Sequence, residues 1–193
     1  IKIVNDYFGA KELEKKIGRQ KVKVFSCCAM FYDLPNPNKF VADIKGKLSA
    51  DGIWCIQLSY LPLMIQNMNF YDICHEHLSY YSIKSLNALM ERHKLYIFDA
   101  STNAVNGGSV RVFITHKDNK IVYTSGRQAN VENLLVKEMN LNLESASTYH
   151  NYYKKMKDLA DKVKKYFESE LAKGNKIVAL RRCSKTNNFI AFG

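Results

Sequence analysis

No apolar run in the sequence is long enough to span a membrane. A membrane helix needs about 18 to 20 consecutive apolar residues, and the apolar stretch of residues 53–65 is interrupted by Gln57, Ser59, Tyr60 and Pro62. The first residues also lack the basic, apolar and small-residue segments of a secretory signal. We therefore expect neither insertion into a membrane nor export.

Cysteines are few and irregularly spaced. There are five of them, at positions 27, 28, 55, 74 and 183. An odd number argues against a disulfide framework, and the adjacent Cys27 and Cys28 are poorly placed to bridge to each other. Reduced thiols are typical of the cytoplasm, which is the location that we predict.

The glycine-rich turn of nucleotide-binding α/β folds is also missing. That turn follows the first strand of such folds and receives a nucleotide-like ligand, and nothing of the kind precedes residues 1–9, IKIVNDYFG. We therefore expect the chain to be a fragment, or a truncated relative, of a larger protein.

What the chain does contain is enough apolar material for one packed domain, or one domain and a piece of another. Of its 193 residues 47% are hydrophobic and 12% aromatic, and the formal net charge is +11. Such a charge raises the alternative of a basic nucleic-acid-binding module. The excess lies near residues 11–23 and 154–165, interleaved with acids on predicted helices, and we interpret it as solvated helix faces. A nucleotide-linked small molecule is also anionic and stays open as a partner.

The first half of the chain predicts a strand–helix–strand unit. Residues 9–20 have helical spacing and stop at Gly18, and residues 21–31 are typical of a buried strand. Asn36 is a helix N-cap with Pro37 at the first helical position, and the helix stops near Gly52. Residues 52–60 follow as the next strand, which implies a parallel sheet with an unpaired edge near residues 22–26.

The second half predicts a further helix, a hairpin and two long helical segments. Ser82 caps a helix over residues 83–93, residues 95–100 form a strand, and residues 110–116 pair with 120–124. From about Val131 to Leu171 the pattern is helical, with a break near LNLESAS. A last strand begins near Gly174. The fold class is therefore α/β, with a mostly parallel sheet and an antiparallel edge.

The densest titratable cluster is YDICHEHLSYYS, residues 71–82. Together with IKIVNDYFGA, AMFYDLPNP, DGIWCIQLSYLP and NGGSVRVF, in this order and at these separations, it resembles the S-adenosylmethionine-dependent sugar C-methyltransferases. The resemblance covers residues 1–116 well and residues 131–193 more loosely. It implies a cytoplasmic enzyme that methylates a ring carbon of a nucleotide-linked keto-sugar, with S-adenosyl-L-methionine as cofactor.

The resemblance also implies a domain organisation. Residues 1–124 correspond to the C-terminal part of a Rossmann-like, class I methyltransferase domain, residues 125–172 to a helical connection, and residues 173–193 to the start of a C-terminal α/β domain. Zinc belongs to an N-terminal module that is absent here, so no metal is expected. The turn of relatives near position 180 keeps Lys185 and Asn187, but its glycines are replaced.

Methylation of a carbon beside a carbonyl group requires a base and donors for the enolate oxygen. The resemblance places the base at His77, whose ordinary pKa near about 6.5 suits proton transfer at neutral pH. Glu76 orients, polarises or binds a substrate hydroxyl, and Tyr80 and His75 donate to the developing oxyanion. Two alternatives stay open. Alternate residues of an extended segment point to the same side, so His75 and His77 could form a metal site with Cys74 or another ligand; the cluster could also be purely structural.

Ligands of open α/β sheets bind beyond the carboxyl ends of the strands. This rule makes the residues after the first strand candidates for cofactor binding, namely Ala29, Met30 and Asp33. Candidates for substrate binding follow the next strand and the later turn, namely Gln57, Tyr60, Asn106, Gly107 and Gly108. The two glycines equally suit a turn with positive φ. The alternative reaction is O- or N-methylation with the same cofactor. Nucleic acid is not expected to bind, and the oligomeric state stays open. His93 is expected to cap a helix.

Overall fold

The computed structural model describes residues 3–119 and 125–178. Within these residues the strands are β1 (Val22–Cys28), β2 (Leu48–Ser59), β3 (Leu95–Asn103) and β4 (Ser109–His116). The helices are α1 (Ala10–Ile17), α2 (Pro37–Lys47), α3 (Leu61–Gln66), α4 (Ile83–Arg92), α5 (Ser125–Leu141) and α6 (Ala146–Ala172). Three single 3₁₀ turns are η1 (Phe31–Asp33), η2 (Phe70–Asp72) and η3 (Val105–Gly107).

The described strands form one mixed sheet in the order β1-β2-β4-β3. Strands β1 and β2 are parallel, and β4 runs antiparallel to both of its neighbours. Strands β1, β2 and β3 therefore share one direction, and their carboxyl ends meet at one edge of the sheet. The predicted α/β class is confirmed, with parallel and antiparallel pairs in one sheet.

Helix α2 begins where the sequence predicts but ends earlier. The Asn36 side chain accepts a hydrogen bond from the Lys39 amide at 2.9 Å, and Pro37 occupies the first turn. The predicted end near Gly52 is wrong, because Leu48 is already extended and pairs with Val22 in the sheet. Pairing with β1 therefore converts residues 48–52, which have helical spacing, into the first part of β2.

The core lies on one face of the sheet. Alternate residues of β2, among them Trp54 and Ile56, have no exposed surface and pack with Val112 and Ile114 of β4 under α2, α4 and α5. On the opposite face Ser26 and Cys28 of β1 are exposed. The prediction that β1 is a buried strand is therefore wrong for this face, although its unpaired outer edge in the described sheet is confirmed.

The ends of the remaining helices follow local sequence signals. Ser82 and Ser85 form a reciprocal capping box at the start of α4, with hydrogen bonds of 3.1 and 3.0 Å. Helix α1 ends at Gly18 with φ of 63°, as predicted. Helices α5 and α6 are separated at residues 142–145, where the sequence predicts the break.

One strand of the predicted hairpin, residues 110–116, is observed as part of β4. Strand β4 pairs with β3 through the turn at residues 104–108, whereas its predicted partner, residues 120–124, lies outside the described residues. Most of the predicted C-terminal domain, residues 179–193, also lies outside them. No helix in residues 3–119 and 125–178 combines the length and the apolar character that crossing a bilayer requires.

Candidate active site

Four segments meet at the edge of the sheet where the parallel strands end. Turn η1 follows β1, helix α3 and η2 follow β2, and η3 follows β3. The fourth is the segment of residues 74–80, which we call the HEH loop. The Leu61 amide donates to the Tyr81 carbonyl at 3.0 Å, and the Tyr60 amide donates to the Gly108 carbonyl at 3.3 Å. These bonds fix the end of the HEH loop and the β3–β4 turn to the end of β2.

The HEH loop begins with a tight turn and not with an extended segment. The His77 amide donates to the Cys74 carbonyl at 3.1 Å. This turn corrects the expectation that alternation directs His75 and His77 to the same side. The His75 side chain is 85% exposed and the Glu76 side chain 54% exposed, whereas His77 is partly buried.

His77 is held against the loop that follows β1. Its ring centroid lies 4.3 Å from that of Tyr32 and 6.4 Å from that of Tyr80. The amides of Leu78 and Ser79 both donate to the Tyr32 carbonyl, at 3.0 and 3.1 Å. The imidazole therefore lies at the predicted ligand-binding edge and is not turned into the core.

Asp33, which follows Tyr32, shares the electrostatic environment of His77. Burial raises the pKa of the Asp33 carboxyl above its ordinary value, the charge of His77 lowers it, and that of Glu76 raises it. Its Oδ1 atom is buried and has no hydrogen-bond partner among the described residues. The structure thus brings a predicted cofactor residue within the electrostatic influence of the predicted base.

Tyr80 is a protonated phenol with a backbone partner. Its hydroxyl donates to the Asp72 carbonyl at 3.3 Å. Burial raises the pKa of the phenol, and the electrostatic effect of Cys74 raises it further. On its other side Tyr80 packs against a small cluster that contains Tyr152 and Met156 of α6. The predicted oxyanion donor is therefore present at this edge, with its hydroxyl proton bonded to the chain.

Ala29 and Met30 lie where β1 ends. Ala29 is exposed and adopts φ of 53°, a left-handed conformation that is costly for a residue with a Cβ atom. Its amide donates to the carbonyl of Gln57 at 2.9 Å. The Gln57 side chain accepts from the Arg111 guanidinium at 2.8 and 3.3 Å. Gln57 therefore reaches along the open face of the sheet toward β4, while Ala29 lies at the sheet edge next to η1.

Tyr60 is the predicted substrate residue that the structure places in the core. Its side chain is 2% exposed, and its hydroxyl donates to Oε1 of Glu138 at 2.7 Å. Burial raises the pKa of this phenol well above its ordinary value, and the hydrogen bond to Glu138 adds to the shift. The same carboxylate accepts the amides of Ile83 at 2.5 Å and Lys84 at 3.0 Å.

Glu138 is therefore a key residue that sequence analysis missed. It belongs to α5 and is 4% exposed. Val131 and Leu134 are also buried, and the spacing of these three residues puts them on one face of the helix. The sequence signal that could have revealed Glu138 is a single carboxylate at the helical spacing of the apolar residues Val131 and Leu134.

The turn of Asn106, Gly107 and Gly108 has a structural role. All three residues have positive φ, and the Gly107 carbonyl accepts from the side chains of Asn67 and Asn69 at 2.8 and 2.7 Å. A Cβ atom on Gly107 would lie 2.5 Å from the Tyr71 hydroxyl. The glycines therefore allow the turn to pack closely against the segment that leads into the HEH loop. The exposed Asn106 side chain remains a candidate for ligand contact.

The structure bears on two interpretations of the histidines. In residues 3–119 and 125–178, no three His, Cys, Asp or Glu side chains are grouped so that they could hold a metal ion. His93 ends α4, but burial lowers the pKa of its imidazole, and Lys45 and Arg92 lower it further. A lowered pKa favours the neutral form of this ring, which lies 3.2 Å from Oδ1 of Asn38, over the cation that a helix dipole stabilises.

Comparison with known proteins gives two matches. Residues 104–193 match the family described as the C-methyltransferase C-terminal domain. Over 83 residues, 43% of this chain, the sequence is 36% identical to the C-methyltransferase NovU of Streptomyces niveus. The chain covers 20% of the length of that relative. Both findings support the family that the sequence motifs resemble.

Proposed function

We propose, from the premise that the chain belongs to the C-methyltransferase family, that it is part of an enzyme that methylates a carbon of a nucleotide-linked keto-sugar with S-adenosylmethionine. One observation carries the proposal. The His77 imidazole lies 4.3 Å from the Tyr32 ring, at the edge where the parallel strands end. This is where an open α/β sheet binds its ligand.

The proposed reaction begins with proton transfer to His77. A carbon beside a carbonyl group becomes nucleophilic when its C–H bond breaks, the proton forms a new N–H bond on the imidazole, and the electron pair passes to the carbonyl oxygen as an enolate. A neutral imidazole is suited to accept this proton near neutral pH. The enolate carbon would then take the methyl group, whose bond to the sulfonium sulfur of S-adenosylmethionine breaks and leaves its electron pair on that sulfur.

The polar residues near His77 differ in exposure and are therefore assigned different roles. Tyr80 stays protonated because burial raises the pKa of its phenol, so it can donate to an enolate oxygen after its bond to the Asp72 carbonyl is broken. Glu76 and His75 are directed outward, with 54% and 85% exposed side chains. We assign Glu76 to a substrate hydroxyl, and His75 to an outer donor position.

The end of β1 fits one side of the cofactor. Ala29 is exposed and Met30 partly buried, and the small Ala29 side chain leaves the backbone accessible at the strand end. These two residues would hold the adenosine part of S-adenosylmethionine, which supplies an electrophilic methyl group when bound. Gln57, near the end of β2, and Asn106, in the turn η3, are assigned to the sugar.

The test uses the full-length protein that contains this chain. We expect methyl transfer to a keto-sugar nucleotide, together with exchange of the substrate α-hydrogen with deuterated water. The substitution His77→Gln should lower both rates about 10²- to 10⁴-fold, with little change in cofactor affinity by calorimetry. His150→Gln, an exposed histidine of α6, is the matched control.

Two outcomes would overturn parts of the proposal. Turnover of His77→Gln within a few-fold of the wild type removes the base assignment. Methyl transfer to an oxygen or nitrogen atom without α-hydrogen exchange replaces C-methylation by the alternative reaction.

A further inference from the structure

Residue Asp33 has no role in the mechanism derived so far, although it lies beside the base. It ends η1, directly after Tyr32, whose ring contacts the His77 ring at 4.3 Å. The carbonyl of Tyr32 accepts two amides of the HEH loop, at 3.0 and 3.1 Å. These three contacts fix the two segments to each other, and with them the backbone of Asp33 relative to that of His77.

The Asp33 carboxyl group has an unused hydrogen-bonding atom. Its Oδ1 is buried without a hydrogen-bond partner among the described residues. A buried acceptor without a donor is costly, and such a cost is tolerated where a carboxylate serves a site. The Asp33 oxygen lacks a hydrogen-bond donor. An imidazole that has just accepted a proton is a hydrogen-bond donor and carries a positive charge, so it suits this carboxyl group.

We propose that Asp33 is a positioning residue for His77, placing a carboxylate where it stabilises the protonated form of the imidazole. The inference rests on the proposed function, because it assigns Asp33 to the step in which His77 carries the substrate proton. When that proton is transferred, the new positive charge on His77 lies within the electrostatic influence of the Asp33 carboxylate.

Several other charged or titratable groups surround this pair. From its own loop His77 is accompanied by Cys74, His75, Glu76 and Tyr80; from η1 by Tyr32; and from η2 by Asp72, whose charge acts on Tyr32 and Tyr80. The charge of Glu76 also acts on Asp33. The experiment must therefore separate Asp33 from a general negative field.

The test is an NMR titration of the His77 ring in the full-length protein, with its resonance assigned by its absence in His77→Gln. A carboxylate beside an imidazole favours the protonated form, so Asp33→Asn should lower the pKa of His77 by about one unit. Asp33→Glu should restore part of the shift. Asp118→Asn, an exposed carboxylate beyond the other end of β4, should leave the pKa of His77 unchanged.

Activity provides a second, independent measurement. In Asp33→Asn the acidic limb of the pH profile of kcat/KM should move to lower pH by the same amount as the NMR titration. An unchanged pKa of His77 in a folded Asp33→Asn variant overturns the proposal, whatever the activity. A His77 pKa that responds to Asp33 in a protein that transfers no methyl group keeps the pairing and rejects the proposed function.

Discussion

The Tyr60 hydroxyl donates a hydrogen bond to the Glu138 carboxylate at 2.7 Å, joining residues 78 positions apart in the chain. Through the Ile83 and Lys84 amides the same carboxylate caps the start of α4. Helix α5 is thereby fixed to the end of β2 and to the segment that follows the HEH loop. A single buried side chain therefore connects the sheet, α4 and α5.

Replacing Glu138 should destabilise the protein strongly. Glu138→Ala leaves the Tyr60 hydroxyl and two helix N-terminal amides without their acceptor, at a cost of about 2 to 4 kcal/mol in the free energy of unfolding. Urea denaturation measures this difference. Tyr60→Phe removes one donor and leaves the other two, so it should cost about 1 kcal/mol. A Glu138→Ala variant as stable as the wild type would show that the contact contributes nothing.

Gly108 is expected to tolerate no side chain. Its φ is 141°, and a Cβ atom would lie 2.7 Å from Cβ of Leu63. Gly108→Ala should lower the free energy of unfolding by about 1 to 3 kcal/mol from the backbone conformation alone. Gly46→Ala is the matched control: no atom lies within 4 Å of the added Cβ in α2, and alanine should stabilise the helix by about 0.5 to 1 kcal/mol. Equal effects at both positions would contradict this account.

The ion pair of Glu14 and Lys47 predicts a pH-dependent stability. The Lys47 ammonium donates to Glu14 at 2.7 Å and holds the pKa of that carboxyl below its ordinary 4.5. Because the folded-state pKa is lowered, the stabilisation is present above pH 4.5 and is lost as the pH falls through the folded-state value. Unfolding of Glu14→Gln compared with the wild type should show a difference at pH 7 that disappears with acidification. Glu132→Gln, an exposed residue of α5, controls for net charge, and a difference that does not change with pH would reject the role of the pair.

Lys94 offers a site where glycine should stabilise the protein. It follows the end of α4 with φ of 55°, and its amide donates to the Glu91 carbonyl at 2.9 Å. Glycine adopts this left-handed conformation without a steric penalty, so Lys94→Gly should raise the free energy of unfolding by about 0.5 to 1 kcal/mol. Lys94→Ala retains the penalty and should give no gain. Thermal denaturation of both variants makes the comparison, and equal melting temperatures would contradict the prediction.

The sequence motifs located the candidate site but not its internal arrangement. His77, Glu76 and Tyr80 are adjacent in the chain, and the strand-end rule placed Ala29, Met30 and Asp33 at the same edge. The turn at Cys74, however, directs His75 and His77 differently from the alternation assumed for an extended segment. The direction of a side chain in a loop depends on hydrogen bonds to other segments, which periodicity does not contain.

The sequence by itself determined those features that depend only on interactions between residues close together in the chain. Asn36 and Ser82 begin helices, Gly18 ends one, and apolar spacing separates helix from strand, because caps and periodicity act within a few residues. Only the tertiary structure decided that Tyr60 is buried on Glu138, that Leu48 belongs to a strand, and that His77 lies on Tyr32. Each of these depends on contacts between distant parts of the chain, which exist only after the sheet has assembled.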